Sequence, residues 1–497
     1  MFSKLMIRKI QNTRRAFGSN PGIIHRVLNT FDRSTTAYSM AAFRPEAELK
    51  GHKPVEAADK DLEYQATTLS NGFTVLTESE GFPGPVHMGF LINVGLRDET
   101  NETSGALHAL QNVYLKTLKH TNETVNYGMI QMSGGDMEMD YDQETTYFRG
   151  HCIEYDTVDM FQMLVDIALE PRSVMAANVA KSKSKKKHEL AHHLARFDPF
   201  AFNEDLLLRT AYGYHTLGMP RLGLEGHADY VDARMLQTFM MDNITPGKCL
   251  ILGSGVKNHA EFVNLAKERL GEFLPVPEHH YHKRDKAEYI GGEYRNWTET
   301  PSTSITVGFE GATWSSKEQP VLQVMGSILG TSDSLHQGRA GYGTLARSVT
   351  HVTQGHSFVD RAFATNVHFS DSGLFGFTVQ GAGSHSSDLM NVLLEELSEL
   401  KETISDEELV RAKNRLKMQI LTEMESRASR LEEVGRNYLA FGGDLTFHQY
   451  CKRIDEVTSS DINNVAQKML ATKPTILVQG SAINTVPSIT DVQRQLK

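Results

Sequence analysis

The sequence predicts an α+β fold in two halves of similar make-up, and three observations carry that expectation. At 497 residues the chain exceeds what one core organises, so roughly two to four domains are expected. Beyond a polar stretch from Arg44 to Asp61, strand-like and helix-like periodicities alternate to the end of the chain. Between Gly271 and Gly292, Pro275 and Pro277 precede a charged, histidine-rich run, the best linker signal present. The resulting divisions are an N-terminal arm (1–60), a first α+β domain (61–274), a linker (275–292) and a second α+β domain (293–497).

The elements follow in order. Val86 to Val94 is an apolar, β-rich run suited to a buried strand. Ala106 to Leu118 has helical spacing, Tyr147 to Tyr155 alternates as a strand does, and Val158 to Leu169 is helical again. After the linker, Thr303 to Glu310 reads as a strand and Gln319 to Gly330 as a helix. Leu389 to Glu402 and Asp406 to Arg427 are long helices with acid–base pairs on their outer faces.

Composition excludes several classes of function. A formal net charge of -10 argues against a general nucleic-acid binder, because phosphate contacts demand a basic surface. No apolar run approaches the length of a membrane-spanning helix, so membrane association has to come through partners. Cys152, Cys249 and Cys451 lie far apart without C-x-x-C pairing, which fits inert thiols in a reducing compartment. Lys4, Arg8, Lys9, Arg14, Arg15 and Arg26 all precede the first acidic residue, Asp32, and Phe2, Leu5, Met6 and Ile10 share a helical face opposite those charges. This is the composition of a mitochondrial transit peptide, with a disordered basic arm as the plainer alternative. Whether it is removed or kept stays open.

The segment Gly105-Ala106-Leu107-His108-Ala109-Leu110-Gln111-Asn112 carries the functional argument. An H-x-x-E-H helix sets two imidazoles on one face to bind zinc, with a glutamate between them as the base for its water. Here His108 keeps the first ligand position, Gln111 replaces the base and Asn112 replaces the second histidine. An amide takes no proton near neutral pH and is a poor zinc ligand. Elsewhere, His188-Glu189-Leu190-Ala191-His192 spells the opposite-order motif H-E-x-x-H. It directly follows the cationic run Lys181 to Lys187, which implies a solvated helix and opposes cation binding; Asp198 and Glu204 are available as a third ligand but nothing marks them. His279-His280-Tyr281-His282 reads as a solvated loop within the linker.

Several segments, in order, resemble the pitrilysin/insulinase-like family. Leu69 to Val75 is similar to the family's opening strand, and Gly89 to Glu99 to the strand and turn leading into the metal helix. Thr216-Leu217-Gly218-Met219-Pro220 with Leu222-Gly223 matches its T-L-G-x-P-x-L-G segment. Ile454-Asp455-x-Val457 with Asp461, and Lys473-Pro474-Thr475, match the closing helices and last strand, so the resemblance covers about Leu62 to Gly480. Within the family it is nearest to processing-peptidase α subunits and complex III core proteins: Phe369 to Gly376, Glu425-Ser426-Arg427 and Gly435-Arg436 resemble segments of that group. Arg436 is read evenly as either paired with an acidic neighbour inside the fold or free at the surface.

The resemblance implies a bilobal form, two related α+β domains each with a mostly antiparallel sheet flanked by helices. It places Glu189 near the glutamate that completes the zinc shell in catalytic members, so that His108 and Glu189 supply two ligands where catalytic zinc needs three. No metal or other cofactor is therefore expected on this chain; zinc is expected in a β-type partner. Gly330 to Arg347 resembles the group's glycine-rich, presequence-handling loop, with Gly330, Ser334, Gly338, Gly341 and Gly343 as candidate substrate-binding positions. Thr331, Ser332, Asp333, Arg339, Ala340 and Tyr342 depart from it, and Arg339 disfavours a cationic peptide. A free-standing zinc endopeptidase fails on its missing base and ligand. The expectation is a non-catalytic α-type subunit paired with a β-type subunit as a core subunit of respiratory complex III, on the matrix side of the mitochondrial inner membrane. Cytochrome b, cytochrome c1 and the iron–sulfur protein would then be its neighbours. The alternative is the α subunit of a soluble processing peptidase that presents presequence peptides, and one pair can serve in both places.

Overall fold

Strand periodicity organises the structure, because residues alternating along each strand feed two different apolar layers. The computed structural model describes residues 64–78, 84–115, 128, 130–169, 202–224, 232–274, 283–333, 346–402, 404–443 and 445–496. The transit-peptide reading, the H-E-x-x-H motif and the His279 to His282 tract lie outside the described residues. The first sheet contains β1 (Tyr64–Thr68), β2 (Thr74–Glu78), β3 (Val86–Ile92), β4 (Asp136–Tyr141), β5 (Thr146–Cys152) and β6 (Cys249–Ser254), in the order β1-β2-β6-β3-β5-β4. The second contains β7 (Gly292–Trp297), β8 (Ser302–Glu310), β9 (Thr331–Asp333), β10 (Val359–His368), β11 (Gly373–Ala382) and β12 (Thr475–Gly480), in the order β7-β12-β8-β11-β10-β9. All pairings are antiparallel except β2 with β6 and β7 with β12.

The two sheets repeat one topology. Taken in chain order, β2, β3, β4, β5 and β6 correspond to β7, β8, β10, β11 and β12. In both, the first strand lies parallel to the fifth, which pairs with the second, then the fourth, then the third. Strands that pair sequentially need only short turns, whereas a parallel neighbour needs a long crossover. The helical segments between the fourth and fifth strands supply it in each half.

The described helices are α1 (Ala106–Val113), α2 (Thr157–Ala168), α3 (Asn203–Tyr212), α4 (Ala233–Asn243), α5 (His259–Leu270), α6 (Gln319–Leu329), α7 (Ser386–Glu399), α8 (Asp406–Glu425), α9 (Arg427–Phe441), α10 (Phe447–Glu456), α11 (Ser459–Leu470) and α12 (Ile489–Leu496). Phe90, Ile92, Phe148 and Ile251 of the first sheet pack with Leu107, Leu110, Phe161, Phe239 and Phe262 of its own helices. The alternate residues Leu91, Tyr147, Leu250 and Leu252 face the other way and meet Leu431 of α9, from the second half. Gly435 lets α9 sit this close: a Cβ there would lie 2.8 Å from both Leu91 and Leu252 side chains. The second sheet mirrors this. Val307, Phe309, Phe375 and Val478 pack with Met325, Leu393 and Ala466, while Leu374 and Leu477 meet Leu207, Leu208 and Ala211 of α3, from the first half. Each half lends one helix to the other's sheet.

A buried ion network joins the same parts. Arg97, with a side chain 1% exposed, reaches Glu144 at 2.5 Å and grips Asp371 at 3.0 and 2.9 Å. Its Nη2 also donates to the Asp285 carbonyl at 2.8 Å. Arg284 grips Asp98 at 2.8 and 2.6 Å and donates to the carbonyl oxygens of Asn93 and Glu144. Burial opposes the Arg97 charge, but the hydrogen bonds to Asp371 and the neighbouring carboxylates hold its pKa above the ordinary value.

Three expectations are refined by these contacts. Leu69 to Val75 is mostly a turn between β1 and β2, closed by Gly72 at φ 103°, with only Thr74 and Val75 in a strand. The described part of the linker is pinned by Arg284 and Asp285 rather than loosely tethered. Arg436 is paired, with Asp142 at 2.5 Å and Glu432 at 3.0 Å. The three cysteines are free and buried, as expected. Replacing Arg97 with Met leaves Glu144 and Asp371 without their shared cation. The expected loss is about 3–5 kcal/mol of stability, read from the chemical-unfolding midpoint; an unchanged midpoint would contradict the anchoring role.

A candidate site closed around His108

α1 begins where Gly105, at φ 88°, turns the chain into the helix. Gly223, at φ 75°, packs directly on that turn, and a Cβ on Gly223 would lie 2.6 Å from the Gly105 Cα. Two of the glycines in the sequence segments thus serve one close backbone approach. The helix start is satisfied by Glu99, whose Oε2 accepts from the Gly105 N–H and whose Oε1 accepts from the Leu107 N–H, both at 2.8 Å. Burial pushes the Glu99 carboxyl up to about 8, against those N–H donors, which favour the anion.

His108 is buried, and both ring nitrogens are engaged. Nδ1 lies 3.2 Å from the Tyr141 hydroxyl and Nε2 lies 3.2 Å from Asn112 Nδ2. Asn112 Nδ2 also donates to the His108 carbonyl at 3.0 Å, which turns the amide nitrogen, not the oxygen, toward the ring. The Tyr141 hydroxyl donates to the Arg221 carbonyl at 3.1 Å, leaving its oxygen to accept from Nδ1–H. The order is therefore Asn112 N–H to Nε2, Nδ1–H to Tyr141 O, and Tyr141 O–H to the Arg221 carbonyl. The nitrogen at which an imidazole would meet a metal is occupied by a donor four residues along the same helix. Gln111 donates to the Met139 carbonyl at 2.9 Å and so ties α1 to β4.

Arg221 closes the group from outside. Its guanidinium stands 4.9 Å from the centre of the Tyr141 ring, its Nη2 reaches Asp140 at 2.9 Å, and its N–H donates to Asp205 at 2.7 Å. Burial raises the Tyr141 phenol above its usual range, so it remains a hydrogen-bonded neutral group. Among the described residues, the three-ligand grouping of His, Cys, Asp and Glu side chains close enough to share a metal is His351, Glu396 and Glu399, remote in sequence from His108.

The structure brings His108, Gln111 and Asn112 onto one helix face region, while Glu189 lies outside the described residues. Glu204 stands exposed in the first turn of α3. Of the loop positions, Ser334, Gly338, Gly341 and Gly343 also lie outside the described residues. Gly330 ends α6 at φ 72°, where a Cβ would lie 2.5 Å from the Ala346 Cβ and 3.2 Å from the Arg415 guanidinium. Its lack of a side chain is thus required by packing. Sequence reasoning missed Glu99, Tyr141 and Arg221 as partners. Glu99 stands at the end of a quoted segment, but Arg221 fills a variable position of the T-L-G-x-P-x-L-G pattern, where no signal marks it.

Removing the Asn112 amide with alanine strands a buried ring nitrogen, and about 1–3 kcal/mol of stability should be lost in chelator-containing buffer. A loss only when zinc is present would contradict the closed hydrogen-bond chain. Glu99 gives a pH prediction. Its folded pKa lies above the ordinary 4.5, so its contribution is full below 4.5 and is lost as pH rises through about 8. Glu99→Gln should flatten that decline in the thermal midpoint, even with a lower absolute stability; equal slopes in the two proteins would refute the assignment.

Comparison with known proteins gives concordant findings. Residues 230–416 match the family model described as Peptidase M16 inactive domain. The chain is 27% identical over 445 residues to mitochondrial-processing peptidase subunit alpha-2 of Dictyostelium discoideum, covering 87% of this chain and 95% of that protein. It is 25% identical over 453 residues to a probable mitochondrial-processing peptidase subunit beta of Arabidopsis thaliana, covering 90% and 83%. A chain in the structure of complex III2 from Candida albicans with Inz-5 bound shares the fold at a TM-score of 0.75 and 19% identity, covering 88% of this chain and 99% of that one.

Proposed function

For this chain, which belongs to the pitrilysin/insulinase-like family, we propose a catalytically silent role as an α-type subunit paired with a β-type subunit, serving as a matrix-side core subunit of respiratory complex III. The observation that carries the reading is the closure of His108. Asn112 hydrogen-bonds the ring nitrogen a metal would need, and Gln111, an amide at the base position, is spent on the β4 backbone. Zinc hydrolysis requires an open coordination position and a proton acceptor. Any zinc chemistry in the assembly then falls to the β-type partner. Relatives of both α and β type match at similar identity, so the α assignment rests on the glycine-rich loop and the Phe369 to Gly376 turn.

That turn also supports the reading. Phe369-Ser370-Asp371-Ser372-Gly373 is held by Arg97, by Glu144 accepting from the Ser370 N–H at 2.9 Å, and by the Tyr212 hydroxyl on Ser372. A subunit whose work is done by surfaces needs such fixed geometry rather than ionisable catalytic groups. The soluble processing-peptidase α subunit is the second reading, favoured by the processing-peptidase relatives and by the glycines retained at 338, 341 and 343.

Affinity purification of the chain in mild detergent, with partner identification and a presequence-cleavage assay, tests both. Recovery with cytochrome b, cytochrome c1 and the iron–sulfur protein is the expected result. Recovery with only a zinc-bearing β-type subunit and strong cleavage would transfer the chain to the peptidase reading, and cleavage by the chain alone would overturn both. Replacing Gly338, Gly341 and Gly343 with alanine should leave assembly intact; impaired cleavage in that variant marks a loop that still handles peptide.

A further inference from the structure

A second cluster of metal-ligating side chains lies apart from His108. Ser348–Thr353 forms a π-helical turn just beyond residues 334–345 and carries His351 against the last turn of α7. Local π-helical geometry re-aims a side chain and is frequent at functional sites. Glu396 and Glu399, three residues apart on α7, share one face of that helix. His351 Nδ1 lies 3.2 Å from Glu396 Oε1 and 3.7 Å from Glu399 Oε2. One ligand atom from each of the three residues falls within 4.8 Å of the others.

The decisive atom is Glu396 Oε2. The Glu396 side chain is 7% exposed, and this oxygen is buried without a hydrogen-bond partner. A carboxylate taken out of water is stabilised by a donor, a cation or a proton, and a cation that binds displaces the proton. Arg347 does not supply that cation: its guanidinium is directed at Glu408, at 2.7 and 3.2 Å, and approaches Glu399 only at 3.5 Å. Three carboxylates therefore share one guanidinium.

We propose that His351, Glu396 and Glu399 form a binding site for a divalent transition cation of the zinc class. One imidazole nitrogen and two carboxylate oxygens suit that class, whereas calcium takes six to eight oxygen ligands. His351 and Glu399 are each 48% exposed, which leaves water access for a fourth ligand. Arg347, held by Glu408, lies 3.5 Å from Glu399 at the edge of the site. A bound cation would fasten the turn that follows residues 334–345 to α7. This inference is independent of the functional reading above.

The test is calorimetric titration of the chelator-stripped full chain with Zn²⁺, beside His351→Gln, Glu396→Gln and a His188→Ala/His192→Ala double variant. The wild type and the double variant should each bind zinc at this site, and the two single variants should lose at least about tenfold in affinity. Because His351 is half exposed, His351→Gln keeps the fold and isolates the ligand effect. Visible absorption of the Co²⁺-loaded chain provides a second readout, and His351→Gln should lose the corresponding band. Zinc binding unchanged in His351→Gln and Glu396→Gln, or lost only in the double variant, would overturn the proposal. So would a wild-type chain that takes up no zinc.

Discussion

The buried guanidinium of Arg97 is the constraint on which the arrangement depends. Its partners come from the first half in Glu144, from the linker in the Asp285 carbonyl and from the second half in Asp371. A buried charge adds little net stability when paired but is expensive when stranded, so its value lies in fixing geometry. Burial works to raise the Asp371 carboxyl, yet the Arg97 hydrogen bonds and the Ala287 N–H hold it below the usual carboxylate range. The next two residues extend the same constraint. Asp98 holds Arg284 of the linker, and Glu99 holds the start of α1. Three consecutive side chains thus tie the linker, the opposite hairpin and the helix that carries His108 into one frame.

The exchange of α3 and α9 follows from sheet physics. A sheet apolar on both faces needs two covers, and among the described residues each half builds the outer one from its own helices. The inner cover is lent by the other half, with Leu431 on the first sheet and Leu207 and Ala211 on the second. Small residues mark these contacts. Gly435 sits against Leu91 and Leu252, and Gly308 and Gly376 lie beside Leu207. Where apolar packing stops, a polar cluster takes over: Asn203 meets Thr306 and Gln479 on the inner face of the second sheet. The two halves therefore share their interior and do not behave as beads on a linker.

Much of the fold was legible because its periodicities are strong. The apolar run at Val86, the strand at Thr303 and the helices at Gln319 and Asp406 occupy nearly the expected positions. Leu69 to Val75 misled because the β-rich character of Phe73-Thr74-Val75 continues directly from a glycine turn. The topological repeat was illegible for a different reason: strand order is set by which faces meet, and two halves can keep that order after their residues diverge. The helix exchange was hidden likewise, since an amphipathic pattern identifies an apolar face but not the sheet that covers it. At the candidate site, Gln111 and Asn112 could be singled out from the sequence, but not what surrounds them. Met139, which accepts from Gln111, and Tyr141 and Arg221, which continue the chain from His108, arrive from elements whose sequence carries no metal or catalytic signature.

The amides at positions 111 and 112 are informative through the partners they hold. A histidine left alone in an emptied metal pocket would have a buried ring nitrogen without a partner, at the usual penalty for an unmade hydrogen bond. Asparagine at position 112 removes the penalty from within the helix, and it does so with the same amide that caps the His108 carbonyl. Glutamine at 111 keeps the reach of a glutamate but exchanges an acceptor for a donor, and that donor bonds the strand opposite. Asn112 thus serves its own helix, while Gln111 braces α1 against β4.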